Sequence, residues 1–307
     1  MARGLRTNST AVTSLGLNMF SDDELWEVHL ATLDVLWNVG VKVESKEARE
    51  IFAGIGCEVN EATHIVRIPA YCVEDAIQTT PPNYRAYGRD PQKDWYCEAG
   101  RTGFVNFGEA VNVIDPYTRK RRPPTMDDLW NSVTMIDKLD SIVLFERNIV
   151  PAEVNPHVGQ LYVLEAFLNN STKPAYIGMH DPQNVKYAIK MGSLVAGSEE
   201  AFKERPWFGT STDPISPLVQ SAGATDALIL ATKVGMPVKI NPMGLAGGTT
   251  CVHIAGTMVT HNAEVLSMFV LGQALKRGVP MVYGSSTAMM DLRTTVSCVG
   301  SPELALI

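Results

Sequence analysis

The chain has 307 residues, of which 45% are hydrophobic and 19% are charged, and its formal net charge is −7. This composition can bury a sizeable core and is unlike that of a disordered protein. The acidic balance argues against a nucleic-acid-binding protein, which would cluster Lys and Arg on one surface.

The five cysteines are odd in number and none of them forms a CxxC motif. Reduced thiols in a cytoplasmic protein are therefore expected, rather than a disulfide framework. No run of about 18 apolar residues indicates a membrane span. The N-terminus also lacks the apolar segment of a secretory signal.

The first hundred residues predict short, mixed elements. Ser21 and Glu24 have the spacing of a capping box, and the helix behind them is expected to stop at Gly40. Periodicity together with Gly and Pro signals predicts the next elements. In chain order these are a strand at 41–45, a helix at 46–55, a strand at 64–69 and a helix at 70–79.

Residues 84–124 predict β structure. The aromatic and alternating stretch 84–110 is interpreted as a small sheet, and a hairpin is expected to turn at Asp115 and Pro116. The one basic run, residues 119–122, is interpreted as a solvated arm of that hairpin, with a partner-docking patch as the alternative.

From residue 125 onward, helices and short apolar strands alternate. The predicted helices are 126–139, 157–169, 182–196, 219–234 and 250–277, with a short turn at 199–205. The predicted strands are 142–146, 175–179, 207–210, 238–241 and 281–284, and 103–107 is a possible sixth. Strands that alternate with long helices pair in parallel through right-handed crossovers.

Doubly wound sheets and barrels both fit this alternation. No GxGxxG motif follows a strand, so a dinucleotide-binding fold loses its best marker. Each strand ends in polar or small residues, as in a barrel whose site is built from all the βα loops. The expected fold is therefore a (β/α)8 TIM barrel at 101–307, behind an N-terminal α+β extension at 1–100. Residues 302–307 resemble the start of a helix, so the chain is expected to stop before eight strands close the barrel.

Two patterns offer alternative chemistries. Cys251, His253, His261 and Glu264 lie in one segment, but their spacing matches no zinc motif, and core and capping roles are favoured over a metal site. The glycine-rich stretch 244–250 lies between a strand and a helix, where backbone amides can bind phosphate. It lacks the GK[ST] ending of a P-loop, so a loop that is merely flexible or closely approached is the alternative.

Other candidates lie at the strand ends. Glu146 could act as an acid or base or face a cation, although an ion pair with Arg147 is an equal alternative. Asp291 and Arg293 could pair with each other or line the mouth of the barrel. The aromatic side chains near strand ends belong to the core when taken singly, but together they could enclose a quaternary ammonium. They are Phe107, Trp207, Phe208 and Tyr283.

Several segments, taken in order and spacing, resemble one family over nearly the whole chain. They are residues 29–45, 52–59, 66–69, 87–91, 115–129, 241–250, 283–293 and 300–303. The resemblance is to the trimethylamine methyltransferase (MttB-like) family. Within that family it is to the branch without pyrrolysine, with the glycine betaine:corrinoid methyltransferases as the nearest members.

This resemblance implies an enzyme that moves a methyl group from a quaternary amine to cob(I)alamin. Glycine betaine, giving dimethylglycine, is the expected substrate. The cobalamin would be supplied by a partner corrinoid protein, so no tightly bound cofactor and no metal site is expected. The implied protein is a cytoplasmic homo-oligomer without nucleic-acid or membrane partners.

Strand-end position and side-chain chemistry select the candidate substrate-binding residues. Phe107, Glu146 and Tyr283 are expected to face the ammonium, and His180, Asn241 or Arg293 to anchor a carboxylate. For His180, hydrogen bonding within its loop is an equal alternative. Thr210 and Ser286 complete the set, and no catalytic residue is assigned. The alternatives are a barrel lyase or aldolase acting on a phosphorylated substrate, and a non-catalytic betaine-binding protein.

Overall fold

The computed structural model describes residues 20–306. The helices are α1 Asp22–Asp34, which continues into a π-helical turn at Val35–Val39, α2 Lys46–Gly54, α3 Ala70–Thr79, α4 Met126–Lys138, α5 Gly159–Asn170, α6 Pro182–Ala196, α7 Glu199–Glu204, α8 Ala222–Val234, α9 Ile254–Leu275 and α10 Pro302–Leu306.

The strands are short. They are β1 Val41–Val43, β2 Glu58–Asn60, β3 Ile65–Arg67, β4 Tyr84–Ala86, β5 Trp95–Cys97, β6 Phe104–Val105, β7 Val113–Ile114, β8 Arg121–Arg122, β9 Ile142–Glu146, β10 Ala175–Tyr176, β11 Phe208–Thr212, β12 Val219–Gln220, β13 Val238–Ile240, β14 Leu245–Ala246, β15 Met281–Tyr283, β16 Ala288–Asp291 and β17 Val296–Ser297.

The described residues form two compact units. The first unit contains residues 82–210, and the second contains residues 20–81 together with 211–306. The second unit is therefore discontinuous in sequence. The domain boundary expected near residue 100 came from the change between short, mixed elements and a regular alternation of helices and strands. It stays a prediction.

The first unit is built on parallel strands. Strand β9 lies between β6 and β10, and β10 in turn pairs with β11, with Ala175 opposite Phe145 on one side and Phe208 on the other. Helices α4 to α7 connect these strands. The core between strands and helices is aromatic: Phe145 stacks on Phe167 at 5.4 Å and Phe202 lies 5.0 Å from Phe208, measured between ring centroids. Phe104–Val105 thus confirms the sixth strand.

A buried carboxylate joins the end of α4 to the segment before β10. Both oxygens of Asp137 accept hydrogen bonds from the Lys93 ammonium at 2.8 Å. The Ser171 hydroxyl and the Thr172 amide donate to the same carboxylate at 3.0 and 2.9 Å. Burial acts to raise the pKa of Asp137, but these donors and the Lys93 charge outweigh it and hold the pKa below its ordinary value.

In the second unit, α2 and the π-helical turn contact a small sheet of order β12-β1-β3-β2. The predicted capping box is confirmed, because the Ser21 hydroxyl accepts from the Glu24 amide and the Glu24 carboxylate accepts from the Ser21 amide. Gly40 ends the helical segment with a φ of +80°, a backbone conformation that favours glycine.

Helix α9 forms the centre of the second unit. It packs against α1, α2, α3 and α8, and residues 263–273 are all buried. By length and composition it could cross a membrane, and it is the one such helix among residues 20–306. A buried core helix passes the same test, and 61% of its most apolar window is buried within the protein. The expected absence of a membrane span stays a prediction.

Parallel pairing continues in the second unit, where β13 pairs with β15 and the Asn241 amide donates to the Thr212 carbonyl at the end of β11. The chain is thus of the α/β class. Its parallel strands β6, β9, β10, β11, β13 and β15 are consistent with part of a barrel. A closed barrel of eight strands is not confirmed.

Two predicted elements were wrong in part. Helix α8 begins at Ala222, not at residue 219, because Val219–Gln220 is a strand that pairs in parallel with β1. The small sheet expected over 84–110 is reduced to the pair β4 and β5, since β6 joins the parallel strands. The hairpin of β16 and β17 was not predicted. The hairpin at Asp115 is confirmed.

Candidate functional site

In the first unit, one side chain from the edge strand holds the end of β9. The Asn106 amide group donates to the Glu146 carbonyl at 2.7 Å, and the Asn106 side-chain oxygen accepts from the Glu146 amide at 2.9 Å. The side chain thereby replaces a backbone partner where β6 ends. The next residue, Phe107, is 77% exposed. Two of the predicted residues, Phe107 and Glu146, therefore lie at neighbouring strand ends.

Two tyrosines lie beside Glu146. Tyr176 is its partner in the β9–β10 ladder, and the Tyr176 hydroxyl is hydrogen-bonded to the Tyr84 hydroxyl. Burial raises the pKa of both phenols, and the charge of Glu146 acts in the same direction on Tyr176. Both phenols therefore stay protonated, and Glu146 has a buried, neutral neighbour across the sheet.

The remaining predicted residues of the first unit differ in their surroundings. Arg147 is buried and forms an ion pair with Glu109. Burial, followed by the charge of Arg147, lowers the pKa of His180, so a neutral imidazole is expected at neutral pH. Thr210 is fully buried, and its hydroxyl donates to the Ile177 carbonyl at 3.1 Å. That hydroxyl therefore links β11 to the segment after β10, and a role of Thr210 in substrate binding stays a prediction.

In the second unit, two predicted residues meet at the ends of adjacent strands. Asn241 follows β13 and Ser286 follows β15, and the Asn241 amide group donates to the Ser286 hydroxyl at 2.9 Å. Tyr283, the last residue of β15, donates its hydroxyl to Asn262 of α9 at 3.1 Å and is half exposed. The arrangement offers an amide, a hydroxyl and an aromatic ring at the carboxyl ends of two parallel strands.

Arg293 lies apart from this pair, in the turn between β16 and β17. Its side chain is 93% exposed and lies 4.0 Å from Asp291. The Asp291 carboxylate also accepts from the Arg293 amide and the Thr294 hydroxyl. The alternative that Asp291 and Arg293 pair with each other therefore has support, and an anchoring role for Arg293 stays a prediction.

The face of α9 that carries His261 and Glu264 is polar and buried. The Glu264 carboxylate accepts from the Ser216 hydroxyl at 2.8 Å and the Leu218 amide at 2.9 Å. His261 Nδ1 lies 2.9 Å from the Thr287 hydroxyl, and its Nε2 has no hydrogen-bond partner among the described residues. Burial lowers the pKa of His261 to about 4, so the ring is neutral.

The two alternative chemistries gain no support. Among residues 20–306 there is no group of three or more His, Cys, Asp or Glu side chains that could hold a metal ion. The glycine-rich loop uses its own amides: those of residues 248–250 donate to the Leu245 carbonyl, and that of Gly247 donates to the Thr250 and Cys251 carbonyls. Amides engaged in this way do not present a phosphate cradle.

Sequence reasoning missed Asn106 and the hydrogen-bond partners of the polar face of α9. Asn is depleted inside strands, so its position inside the predicted strand 103–107 was an available signal. His261 and Glu264 were weighed as metal ligands, with core and capping roles favoured, and not as residues that hold loops. Their contacts to loops far along the chain leave no local signal.

Comparison with known proteins identifies relatives. The family model described as trimethylamine methyltransferase (MTTB) matches residues 6–307. The trimethylamine methyltransferase MttB of Desulfitobacterium hafniense (strain DSM 10664 / DCB-2) is 42% identical over 296 residues, which are 96% of this chain and 60% of that protein. The trimethylamine methyltransferase MttB of Methanosarcina barkeri is 36% identical over 305 residues, 97% of this chain and 61% of that protein.

A glycine betaine methyltransferase of Desulfitobacterium hafniense (strain Y51) is 25% identical over 290 residues, 94% of this chain and 60% of that protein. The trimethylamine enzymes are thus the more similar of these relatives, and the expected nearness to glycine betaine methyltransferases is not confirmed. The chain spans about 60% of the length of the relatives that it matches.

Proposed function

Because the chain belongs to the trimethylamine methyltransferase family, we propose that its protein transfers a methyl group from a methylated amine to the cobalt of a corrinoid. The match of the family model over residues 6–307 carries this proposal. The corrinoid enters as a substrate on a partner protein, and the protein itself holds no tight cofactor. We place the protein in the cytoplasm as a homo-oligomer.

The chemistry assigns the protein a limited task. Cobalt(I) supplies the electron pair of the new Co–C bond, the C–N bond breaks, and its pair stays on nitrogen. The leaving group is dimethylamine when the substrate is trimethylammonium, and dimethylglycine when it is glycine betaine. Both leaving groups have a neutral nitrogen, so the protein must mainly orient the amine and bind its cation away from water.

The described strand ends contain groups suited to this task. In the first unit, Glu146 offers a carboxylate to a cation and the face of Phe107 suits an ammonium. In the second unit, taken by itself, the face of Tyr283 suits an ammonium as well. Asn241 and Ser286 offer donors to a carboxylate or an ordered water. Greater similarity to the trimethylamine enzymes makes trimethylamine the first substrate to test, and glycine betaine the second.

The test uses the full-length protein with reduced cobalamin, free or on a corrinoid protein, under anaerobic conditions. Conversion of cob(I)alamin to methylcob(III)alamin is followed in the visible spectrum with trimethylamine, glycine betaine or carnitine. We expect conversion with trimethylamine or glycine betaine. No conversion with any of these amines, in the presence of a competent corrinoid protein, would refute the proposal.

A matched pair of variants tests the site. Glu146→Gln removes a carboxylate at a strand end, whereas Glu165→Gln removes an exposed one from α5. We expect Glu146→Gln to raise KM for the amine at least about tenfold, from the loss of an ion pair of about 1.4 kcal/mol or more. Glu165→Gln should leave KM unchanged. Equal KM values for both variants would remove Glu146 from the site.

A further inference from the structure

This inference rests on the proposed function and concerns helix α9 of the second unit. Thr257, His261 and Glu264 lie at positions i, i+4 and i+7 and so share one face of the helix. All three side chains are buried, with 0%, 3% and 1% of their surface exposed. Residues 263–273 of the same helix are also buried, and most of them are apolar. Three polar side chains in such surroundings are costly unless they are hydrogen-bonded.

Each of the three residues holds a different loop. Glu264 accepts from Ser216 and Leu218, which lie in the loop after β11. Thr257 donates to the Cys251 carbonyl at 2.7 Å, in the last part of the connection from β13 to α9, which also contains β14. His261 is hydrogen-bonded to Thr287 in the loop after β15. One helix face therefore contacts the loops that follow three successive strands of the parallel set.

The partners of this face lie in loops and not on the helix itself. Thr260 of the same helix shows the contrast, because its hydroxyl donates to the Gly256 carbonyl one turn earlier. That bond adds nothing to the tertiary structure. The bonds of Thr257, His261 and Glu264, by comparison, fix the positions of chain segments that lack regular structure.

The loop after β15 links this face to the candidate site. Thr287 directly follows Ser286, whose hydroxyl accepts from Asn241 and whose amide donates to the Pro242 carbonyl at 2.9 Å. The Thr287 amide in turn donates to the Ser285 hydroxyl. A shift of Thr287 would therefore move Ser286, and with it the Asn241–Ser286 pair.

We propose that the polar face of α9 sets the positions of these three loops, and that His261 acts through Thr287 as a positioning residue for the Asn241–Ser286 pair. This pair binds the polar part of the methylated amine or a water that contacts it. His261 and Thr287 do not touch the substrate. The proposal gives a function to a polar cluster on a helix that is otherwise largely apolar.

The test compares Thr287→Val, which removes the hydroxyl and keeps the shape, with Thr287→Ser, which keeps the hydroxyl and removes the methyl group. Thr260→Val on the same helix is the control. Amide hydrogen exchange of residues 284–288 is measured in the full-length protein. This measurement requires no substrate. We expect Thr287→Val to raise exchange there about 3- to 10-fold, the range of one hydrogen bond. Thr287→Ser and Thr260→Val should match the wild type.

A second variant tests whether the loops respond separately. Glu264→Leu should raise exchange over residues 215–218, and Glu264→Gln should not, because an amide can still accept from Leu218 and contact Ser216. A general loss of stability would instead raise exchange throughout the second unit in every variant. That result, or no change in residues 284–288 on Thr287→Val, would overturn the proposal.

Kinetics supply the functional readout. We expect Thr287→Val to raise KM for the amine about 3- to 10-fold with little change in kcat, and Thr287→Ser to restore KM. The double variant His261→Phe with Thr287→Val should raise KM for the amine no more than either single change does. Unchanged KM in an active enzyme overturns the positioning role alone. Loop-specific exchange effects in a protein that methylates no corrinoid would support the loop contacts and refute the proposed function.

Discussion

The buried Lys93–Asp137 pair of the first unit allows a worked prediction of stability. Asp137→Asn keeps an acceptor for Ser171 and Thr172 but leaves the Lys93 ammonium facing a neutral amide. The Lys93 side chain is only 19% exposed, and the Asp137 side chain only 8%. Removing one partner of a buried ion pair costs about 3–5 kcal/mol. Because Lys93 still reaches some solvent, we expect about 3 kcal/mol.

A double variant separates the charge from the packing. Lys93→Met alone should also destabilise, since the carboxylate then keeps its two neutral donors and, 4.0 Å away, the exposed Lys138 ammonium. Asp137→Asn with Lys93→Met removes both charges and should cost less than the sum of the single changes by more than about 1 kcal/mol. Urea unfolding, followed by circular dichroism and fluorescence, measures these free energies. Asp140→Asn, an exposed carboxylate just after α4, is the control and should change little.

The stabilisation by the Lys93–Asp137 pair should depend on pH in a known direction. The pKa of Asp137 is lower in the folded protein than its ordinary value of 3.8, so the folded state favours the charged form. The stabilisation is therefore complete above about pH 5 and is lost as the pH falls through the lowered pKa. The difference between wild type and Asp137→Asn should shrink in the same range. Two results would refute the reasoning. One is additive free-energy changes for the two single variants, and the other is a stability difference between wild type and Asp137→Asn that does not change with pH.

Three further predictions concern single positions. A Cβ at Gly192 would lie 2.7–2.9 Å from the Phe202 ring, so Gly192→Ala should cost about 1–3 kcal/mol by overpacking; an unchanged melting temperature would contradict this. Asn106→Leu removes both hydrogen bonds to the Glu146 backbone and should lower the free energy of unfolding in urea by about 1–3 kcal/mol. An unchanged free energy of unfolding would show that the end of β9 does not depend on these two bonds. Burial raises the pKa of Glu264 against its hydrogen bonds, so wild-type stability should fall as the pH rises above 4.5, and Glu264→Gln should abolish that part of the pH dependence in an unfolding series.

Elements with strong local signals were predicted closely from the sequence. Helix α6 begins at Pro182 behind the Asp181 cap and ends at Gly197, whose φ is +91°. Both signals are local: a side chain that caps the first amides and a residue that accepts a left-handed backbone. The parallel strands were also found, because short apolar runs between amphipathic helices form a pattern visible over a few residues.

Elements that depend on distant partners were not predicted. Val219 and Gln220 look like the start of α8, but they pair with Lys42 and Val43, far earlier in the chain. No window of sequence shows such a pairing. The same limit applies to the candidate site, where strand-end position was predictable and hydrogen-bond partners were not. His261, for example, reaches Thr287 across 26 positions of sequence.

The division of the second unit has a consequence for folding. Helices α1 to α3 end at Thr79, yet α9, against which they pack, begins at Ile254. During synthesis the early helices therefore emerge without their main apolar partner, while residues 82–210 of the first unit are made in between. Contacts of this sequence separation form late and leave hydrophobic surface exposed to aggregation. Slow refolding and a dependence on chaperones would follow from this order of assembly, and both would be concentrated in the second unit.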